Sequence, residues 1–151
     1  MTIILDTNLL LLFIVGTASR KYIGMHKKLK SYTNEDFDLL LRLLSSADNI
    51  AVTPNTLTET SNLAAYISDP ALTHILEVFR SLIMDNNTNE CFVQSYVAAA
   101  RPEFIRLGLT DAALLHIADD SRVLLTADVG LYLAALNDGK NAQNFNHLRN
   151  M

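Results

Sequence analysis

Thr2-Ile3-Ile4-Leu5-Asp6-Thr7-Asn8-Leu9-Leu10-Leu11-Leu12-Phe13-Ile14-Val15 is the stretch on which the fold turns. The apolar run Ile3 to Leu5 stops at a carboxylate and two polar residues, and a second run, Leu9 to Val15, follows at once. Thr2–Leu5 reads as a short buried strand. Leu9–Val15 is apolar on every side, as a buried helix is. A carboxylate between two such segments is costly to bury without a ligand or partner, so Asp6 is the first candidate site residue.

The alternation of short apolar strands with helical patterns continues along the chain. Residues 16–33 are polar and basic: Arg20, Lys21, Lys27, Lys28 and Lys30 lie here with no acidic residue. Asn34–Ala47 resumes a helical period with Phe37, Leu40, Leu41 and Leu44 on one face, and Asn34 reads as its N-cap. Ile50–Val52 reads as a second strand. Thr53 and Pro54 then open a helix as N-cap and first residue. Pro70–Met84 reads as a helix, Asp85–Asn89 as a loop and Cys91–Val93 as a third strand. A helix near Ser95–Ala100 breaks at Arg101-Pro102 and resumes to Leu107. Gly108 ends it, and Thr110 caps the next helix, Asp111–Ala118. Val123–Thr126 reads as a strand, Asp128 to Leu136 as a helix, and Asn141–Phe145 as an edge strand. This order predicts an α/β fold, a three-layer α/β/α sandwich around a mostly parallel sheet. With no internal repeat, linker or low-complexity tract, residues 1–151 are expected to form one domain.

Composition bounds the function. Half of the residues are hydrophobic and 19% are charged, which excludes a disordered chain. The single cysteine, Cys91, cannot form an internal disulfide and suits a reducing compartment. Residues 1–15 lack a positive n-region and contain Asp6, so they fit a signal peptide poorly, and Leu9–Val15 is too short to span a bilayer. The expectation is a cytoplasmic protein without a membrane segment.

Four carboxylates sit in or beside apolar segments: Asp6, Glu59, Asp111 and Asp128. In parallel sheets flanked by helices, ligands bind beyond the carboxyl ends of the strands. Asp6 and Asp128 follow strands, Asp111 opens a helix, and Glu59 lies early in a helix that follows a strand. All four are expected on one rim of the sheet. Converging carboxylates repel unless cations lie between them. Oxygen ligands favour Mg²⁺ or Mn²⁺ over Zn²⁺. The net charge of −4 equals the excess of 16 acidic over 12 basic residues, and setting these four carboxylates aside leaves 12 of each. A negative total is thus compatible with an RNA substrate. Such a site suits phosphodiester hydrolysis. Asn8, Asn62 and Thr126 are placed to orient ligands or water, with Asn62 on the helix face of Glu59.

Leu5-Asp6-Thr7-Asn8, Thr58-Glu59, Gly108-Leu109-Thr110-Asp111-Ala112 and Leu124-Leu125-Thr126-Ala127-Asp128 resemble the motifs of the PIN-domain ribonucleases, in that family's order and over nearly the whole chain. The resemblance implies an endonuclease dependent on Mg²⁺ or Mn²⁺ that acts on single-stranded or exposed RNA, with Asp6, Glu59, Asp111 and Asp128 as its catalytic, metal-binding acids. It also implies kinship with small bacterial toxins that are held inactive by a cognate antitoxin protein and often form homodimers. The basic segment 16–33 is longer than in compact toxins of that family.

Each feature has an ordinary reading beside the functional one. Asp6 and Asp128 are natural N-caps, Asp111 is a first-turn acid favoured by the helix dipole, and Glu59 is a helix-surface acid. The Arg20–Lys30 cations form a solvated segment or contact an RNA backbone. Two other functions are weighed against the nuclease. One is a non-catalytic PIN-like module that binds RNA or protein. The other is an aspartate-based phosphatase, whose common signature needs a second Asp where this chain has Asn8.

Overall fold

The computed structural model describes residues 1–150. In chain order the elements are β1 (Thr2–Leu5), α1 (Thr7–Ala18), α2 (Arg20–Met25), α3 (Asn34–Ser45), β2 (Asn49–Val52), α4 (Pro54–Ala64), α5 (Ala71–Ile83) and β3 (Thr88–Glu90). Then follow α6 (Ser95–Ala99), α7 (Phe104–Ile117), β4 (Arg122–Thr126), α8 (Val129–Asn137), β5 (Ala142–Asn144) and α9 (Phe145–Arg149). The five strands form one all-parallel sheet in the order β3-β2-β1-β4-β5. Helices cover both faces, giving the expected α/β/α layers.

The alternation of side chains along β1 divides the core. Ile3 and Leu5 face one layer with Val52, Leu125, α1, α3, α5 and Phe145. Ile4 faces the other with Ala51, Leu124 and the buried faces of α7 and α8. Helix α1 lies inside the first layer, with Leu9 to Leu12, Ile14 and Val15 all inaccessible to solvent. That enclosure is why the segment is apolar around its whole circumference. Gly16, near its end, lets the Phe37 ring of α3 approach so closely that a Cβ would lie 2.4 Å from the ring.

The chain runs from β1 outward to β2 and β3, then returns to lay β4 against the other side of β1. The β1/β4 boundary is therefore the topological switch point. There, connections leave in opposite directions and open a crevice at the carboxyl ends of the strands.

Four local expectations are corrected. The third strand is Thr88–Glu90, within and just past the expected loop, rather than Cys91–Val93. It is a polar edge strand, and apolar content marks strands buried on both faces, not edges. Cys91 and Val93 instead leave the sheet and pack against the second core layer. The cap of α3 is Thr33 rather than Asn34: the Thr33 hydroxyl accepts from the Asp36 N–H, and the Asp36 carboxylate accepts from the Thr33 N–H in a capping box. Thr110 is not a cap, since its hydroxyl donates to Glu59 instead; the break itself falls as expected at Gly108, whose φ of 84° and ψ of 176° are non-helical and kink α7 between two helical segments. Residues 16–33 are not one polar loop. Helix α1 continues to Ala18, α2 follows, and Ile23, His26 and Leu29 are buried. Helix α9, after the last strand, had no sequence signal long enough to declare itself. Among the described residues, no helix is long and apolar enough to cross a membrane.

Candidate acidic site at the switch point

Asp6 ends β1 and caps α1. Its Oδ1 accepts the Leu9 N–H at 2.9 Å, while Oδ2 accepts the Thr126 hydroxyl at 2.5 Å and the Ala127 N–H at 3.0 Å. These bonds tie β1 to the end of β4 across the switch point. Asp6 is 5% exposed. Burial pushes its carboxyl above the usual range, the three hydrogen bonds pull it back, and repulsion from Asp128 adds to the rise.

Thr126 holds both sides of the boundary. Its Oγ1 donates to Asp6 and accepts the Asp128 N–H at 2.9 Å. Asp128 is exposed and caps α8 through the Leu131 N–H at 2.9 Å. The ordinary cap readings of Asp6 and Asp128 are thus both realised in the structure. Neither uses up its carboxylate, since an ionised carboxyl offers about four acceptor sites.

Glu59 projects from α4 and is exposed. Two threonine hydroxyls hold it: Thr7 donates to Oε1 at 3.3 Å, and Thr110 donates to Oε2. Neither threonine was a site candidate in the sequence, because each lies more than 50 residues from Glu59 along the chain. Their only signal was a hydroxyl next to a candidate acid, beside Asp6 and beside Asp111.

Asp111, like Asp6, is perturbed upward. Burial, then repulsion from Asp128, Asp6 and Glu59, lift its carboxyl to about 7. No hydrogen bond and no cation is among the causes that act on it. Asp128, Asp6 and Glu59 therefore lie near enough to Asp111 to raise its cost of ionisation. An open cleft of about 280 Å³ adjoins Glu59, lined also by Pro54, Asn55, Thr58 and Thr110.

The other sequence candidates lie apart or stand free. Asn8 and Asn62 are exposed, and the hydrogen bonds around the four acids come from threonines and backbone rather than from either amide. Arg20 is paired with Asp38 at 2.5 Å, over the Phe37 ring. Arg20 and Lys21 begin α2, beyond the far end of α1 from Asp6, roughly 18 Å along a helix of that length. Lys28 lies 4.4 Å over the Tyr66 ring, past the end of α4, and Lys27 lines a cleft with Met25 and Tyr66. Lys30 is exposed. The chain returns towards the site at Tyr32, whose hydroxyl is pushed up to about 12 by burial and by the Asp6 charge.

The residues that could hold a cation are Asp6, Glu59, Asp111 and Asp128. Among the described residues, no three His, Cys, Asp or Glu side chains stand close enough to form a ready cage. The donor set nonetheless fits a hydrated ion. Mg²⁺ keeps several waters and takes only one or two protein carboxylates. The half-buried Asp111 carboxyl, without a donor of its own and facing three like charges, is the kind of ligand a hydrated cation would satisfy. In comparisons with known proteins, no family model, no curated protein and no solved structure matches this chain.

Proposed function

We propose that this protein is a divalent-metal-dependent endoribonuclease that hydrolyses phosphodiester bonds in single-stranded or exposed RNA, as the resemblance of its motifs to PIN-domain ribonucleases implies. The observation that carries the reading is the Asp111 carboxyl, raised to about 7 by burial and by three other acids gathered at the switch point. A carboxyl perturbed by burial and by specific charged neighbours in a crevice is a candidate for a functional site. When bound, Mg²⁺ or Mn²⁺ supplies activation of water and neutralisation of charge at the phosphate.

The chain's own residues do the positioning. Thr126, Leu9 and Ala127 fix both oxygens of Asp6, so its orientation is set before any ligand arrives. Thr7 and Thr110 fix Glu59 from two sides. Asp111 and Asp128 supply the remaining negative charge. The motif order also supports a role as the toxin of a toxin–antitoxin pair, with a cognate antitoxin, a cytoplasmic setting and self-association into a homodimer.

The test is cleavage of structured and unstructured RNAs by purified protein with Mn²⁺ or Mg²⁺. Wild type cuts, and Asp6→Asn, with its fold verified by circular dichroism, does not. Equal cutting by the two would remove Asp6 from the site. The second reading is a PIN-like module that binds without catalysis. The lack of a ready cage of three ligands among the described residues favours it. Divalent-cation binding by calorimetry with no cleavage of any RNA would select it.

A further inference from the structure

Asn146, in the first turn of α9, reaches back to the turn that carries Asp128. Strands β4 and β5 pair in parallel with Thr126 level with Asn144, so Ala127 and Asp128 leave the sheet beside Phe145 and Asn146. The Asn146 Nδ2 donates to the Ala127 carbonyl at 2.9 Å, and its Oδ1 accepts from Arg149 Nη1 at 3.3 Å. A carbonyl only accepts and a guanidinium only donates, so these two partners fix which way the amide faces.

From Asn146 the hydrogen bonds run in one direction to Asp6. The Ala127 carbonyl and the Asp128 N–H are the two ends of one planar peptide. Its carbonyl accepts from Asn146, and its N–H donates to Thr126 Oγ1 at 2.9 Å. The Thr126 hydroxyl donates in turn to Asp6 Oδ2, the oxygen that also takes the Ala127 N–H at 3.0 Å. The line starts at the Arg149 cation and ends at a carboxylate, with every donor directed towards Asp6. Bonds in such a line polarise one another, so the far end bears on the near one. The same peptide leads into Asp128, so the amide that braces Asp6 also sets the backbone from which Asp128 projects.

Docking of α9 does not call for this bond. Phe145 is wholly buried, His147 meets the Tyr132 ring edge-on at 5.5 Å, and Arg149 pairs with Asp36 of α3, so the helix is anchored by other contacts. What Asn146 adds is a hold on the peptide between Thr126 and Asp128. A carboxylate of the same shape would accept from Arg149 but, once ionised, has no proton for the Ala127 carbonyl. We propose that Asn146 is a positioning residue of the acidic site: through the Ala127–Asp128 peptide and Thr126 it holds the Asp6 and Asp128 carboxylates in the arrangement that takes a divalent cation. The proposal rests on the reading that these acids hold such a cation, and adds to it a residue from outside the four acidic motifs.

The experiment uses the full chain and Mn²⁺. Metal affinity is read by electron paramagnetic resonance, the hold on the turn by amide hydrogen exchange without metal, and cleavage of a single-stranded RNA by steady-state kinetics. Asn146→Leu removes both bonds at nearly constant volume, and Asn146→Ala serves if the leucine does not fit. Each is expected to bind Mn²⁺ roughly tenfold more weakly, the low end for residues that orient metal ligands. The Ala127 and Asp128 amides exchange faster while those of β1 hold their rates. At a fixed Mn²⁺ concentration kcat falls and KM for RNA holds. His147→Ala, which loosens α9 from Tyr132, leaves Mn²⁺ affinity and the exchange of both amides as in wild type. Asn146 variants that match wild type in Mn²⁺ affinity and in exchange at Ala127 and Asp128 overturn the proposal and leave the cation reading intact. A loss in His147→Ala as large as theirs also overturns it, and assigns the effect to the docking of α9. If wild type takes up no Mn²⁺, the cation reading fails and the proposal fails with it.

Discussion

Replacing Asp111 by Asn removes one charge and leaves the packing of α7 in place. The perturbation is clean because no hydrogen bond contributes to the environment of this carboxyl. Its native pKa is about 7, against 3.8 for a free carboxyl, so the folded protein holds this proton more tightly than the unfolded chain. The stability that follows is complete below about pH 4, is lost as pH rises towards 7, and is gone above it. At about 1.4 kcal/mol for each tenfold change in proton affinity, the loss is about 4 kcal/mol. The asparagine variant does not suffer it. Without metal at about pH 8 it melts higher than wild type, by about 10 °C for a chain of this size. At about pH 4 the two melt together, because both then carry an uncharged side chain here. Under the proposed metal-binding role of Asp111, divalent cation narrows or reverses the ranking, since a ligand at a hundredfold its Kd would stabilise wild type by about 2.7 kcal/mol and the variant would lack one of its donors. The assay is thermal melting by circular dichroism across pH, with EDTA and with Mg²⁺. Parallel curves for the two proteins in EDTA would refute the claim that burial and the neighbouring acids raise the Asp111 carboxyl.

Three further outcomes follow from the packing. Gly16→Ala gains about 1 kcal/mol of helix propensity but drives a Cβ into the buried Phe37 ring, and overpacking at about 1–3 kcal/mol wins; urea unfolding should show a net loss, and an equal or higher midpoint would mean that the ring moves aside freely. His26 is fully buried, with Nδ1 accepting the Lys28 N–H and Nε2 against the Ala64 carbonyl, and burial lowers its pKa. The unfolded chain therefore takes up the proton first, and wild type loses stability below about pH 6.5 that His26→Gln retains; parallel acid unfolding of the two would contradict this. Arg149→Ala strips Asp36 of its ion pair and frees the Ser31 carbonyl, and leaving a buried charge unpaired costs about 3–5 kcal/mol; chemical denaturation measures it, and a loss under about 1 kcal/mol would show that Asp36 is solvated without its partner.

The parts of this fold that were legible in the sequence are those where one physical demand acts alone. Ile3, Ile4 and Leu5 must suit two core layers at once, so the strand is a plain apolar run. Leu9–Val15 must suit an enclosed helix, so it is apolar all round. Thr53 and Pro54 answer the needs of one helix start. Legibility failed where the demand was relaxed or shared. Strand β3 pairs on one side only, and its Thr-Asn-Glu sequence carries no strand signal. The basic segment hides α2, because Ile23, His26 and Leu29 are single buried residues among exposed cations. In the site, the acids were legible because charge beside apolar runs is costly. The Thr7 and Thr110 hydroxyls that hold Glu59 were not, because a hydroxyl is cheap to place almost anywhere.

The double use of Asp6 and Asp128 bears on how such a site keeps its shape. A carboxylate gathered with three others is repelled from its position, and the repulsion must be resisted by something local. The helix N-termini do this. Leu9 and Leu131 each offer an N–H that α1 and α8 cannot satisfy internally, and the positive ends of both helices favour negative charge. The backbone thus draws the two acids to the switch point by the same bonds that start the helices. Glu59 lies within α4 and Asp111 just past the Gly108 kink of α7, and neither carboxylate takes a bond from a backbone N–H. Glu59 is held instead by two threonines, and Asp111 by nothing but packing. Burial raises the proton affinity of both Asp6 and Asp111, and only Asp6 has hydrogen bonds that pull it back. A cation arriving at Asp111 would therefore meet a carboxylate with no hydrogen-bond partner of its own. Substitution of Asp111 is the sharper probe of the site, while that of Asp6 also disturbs a cap.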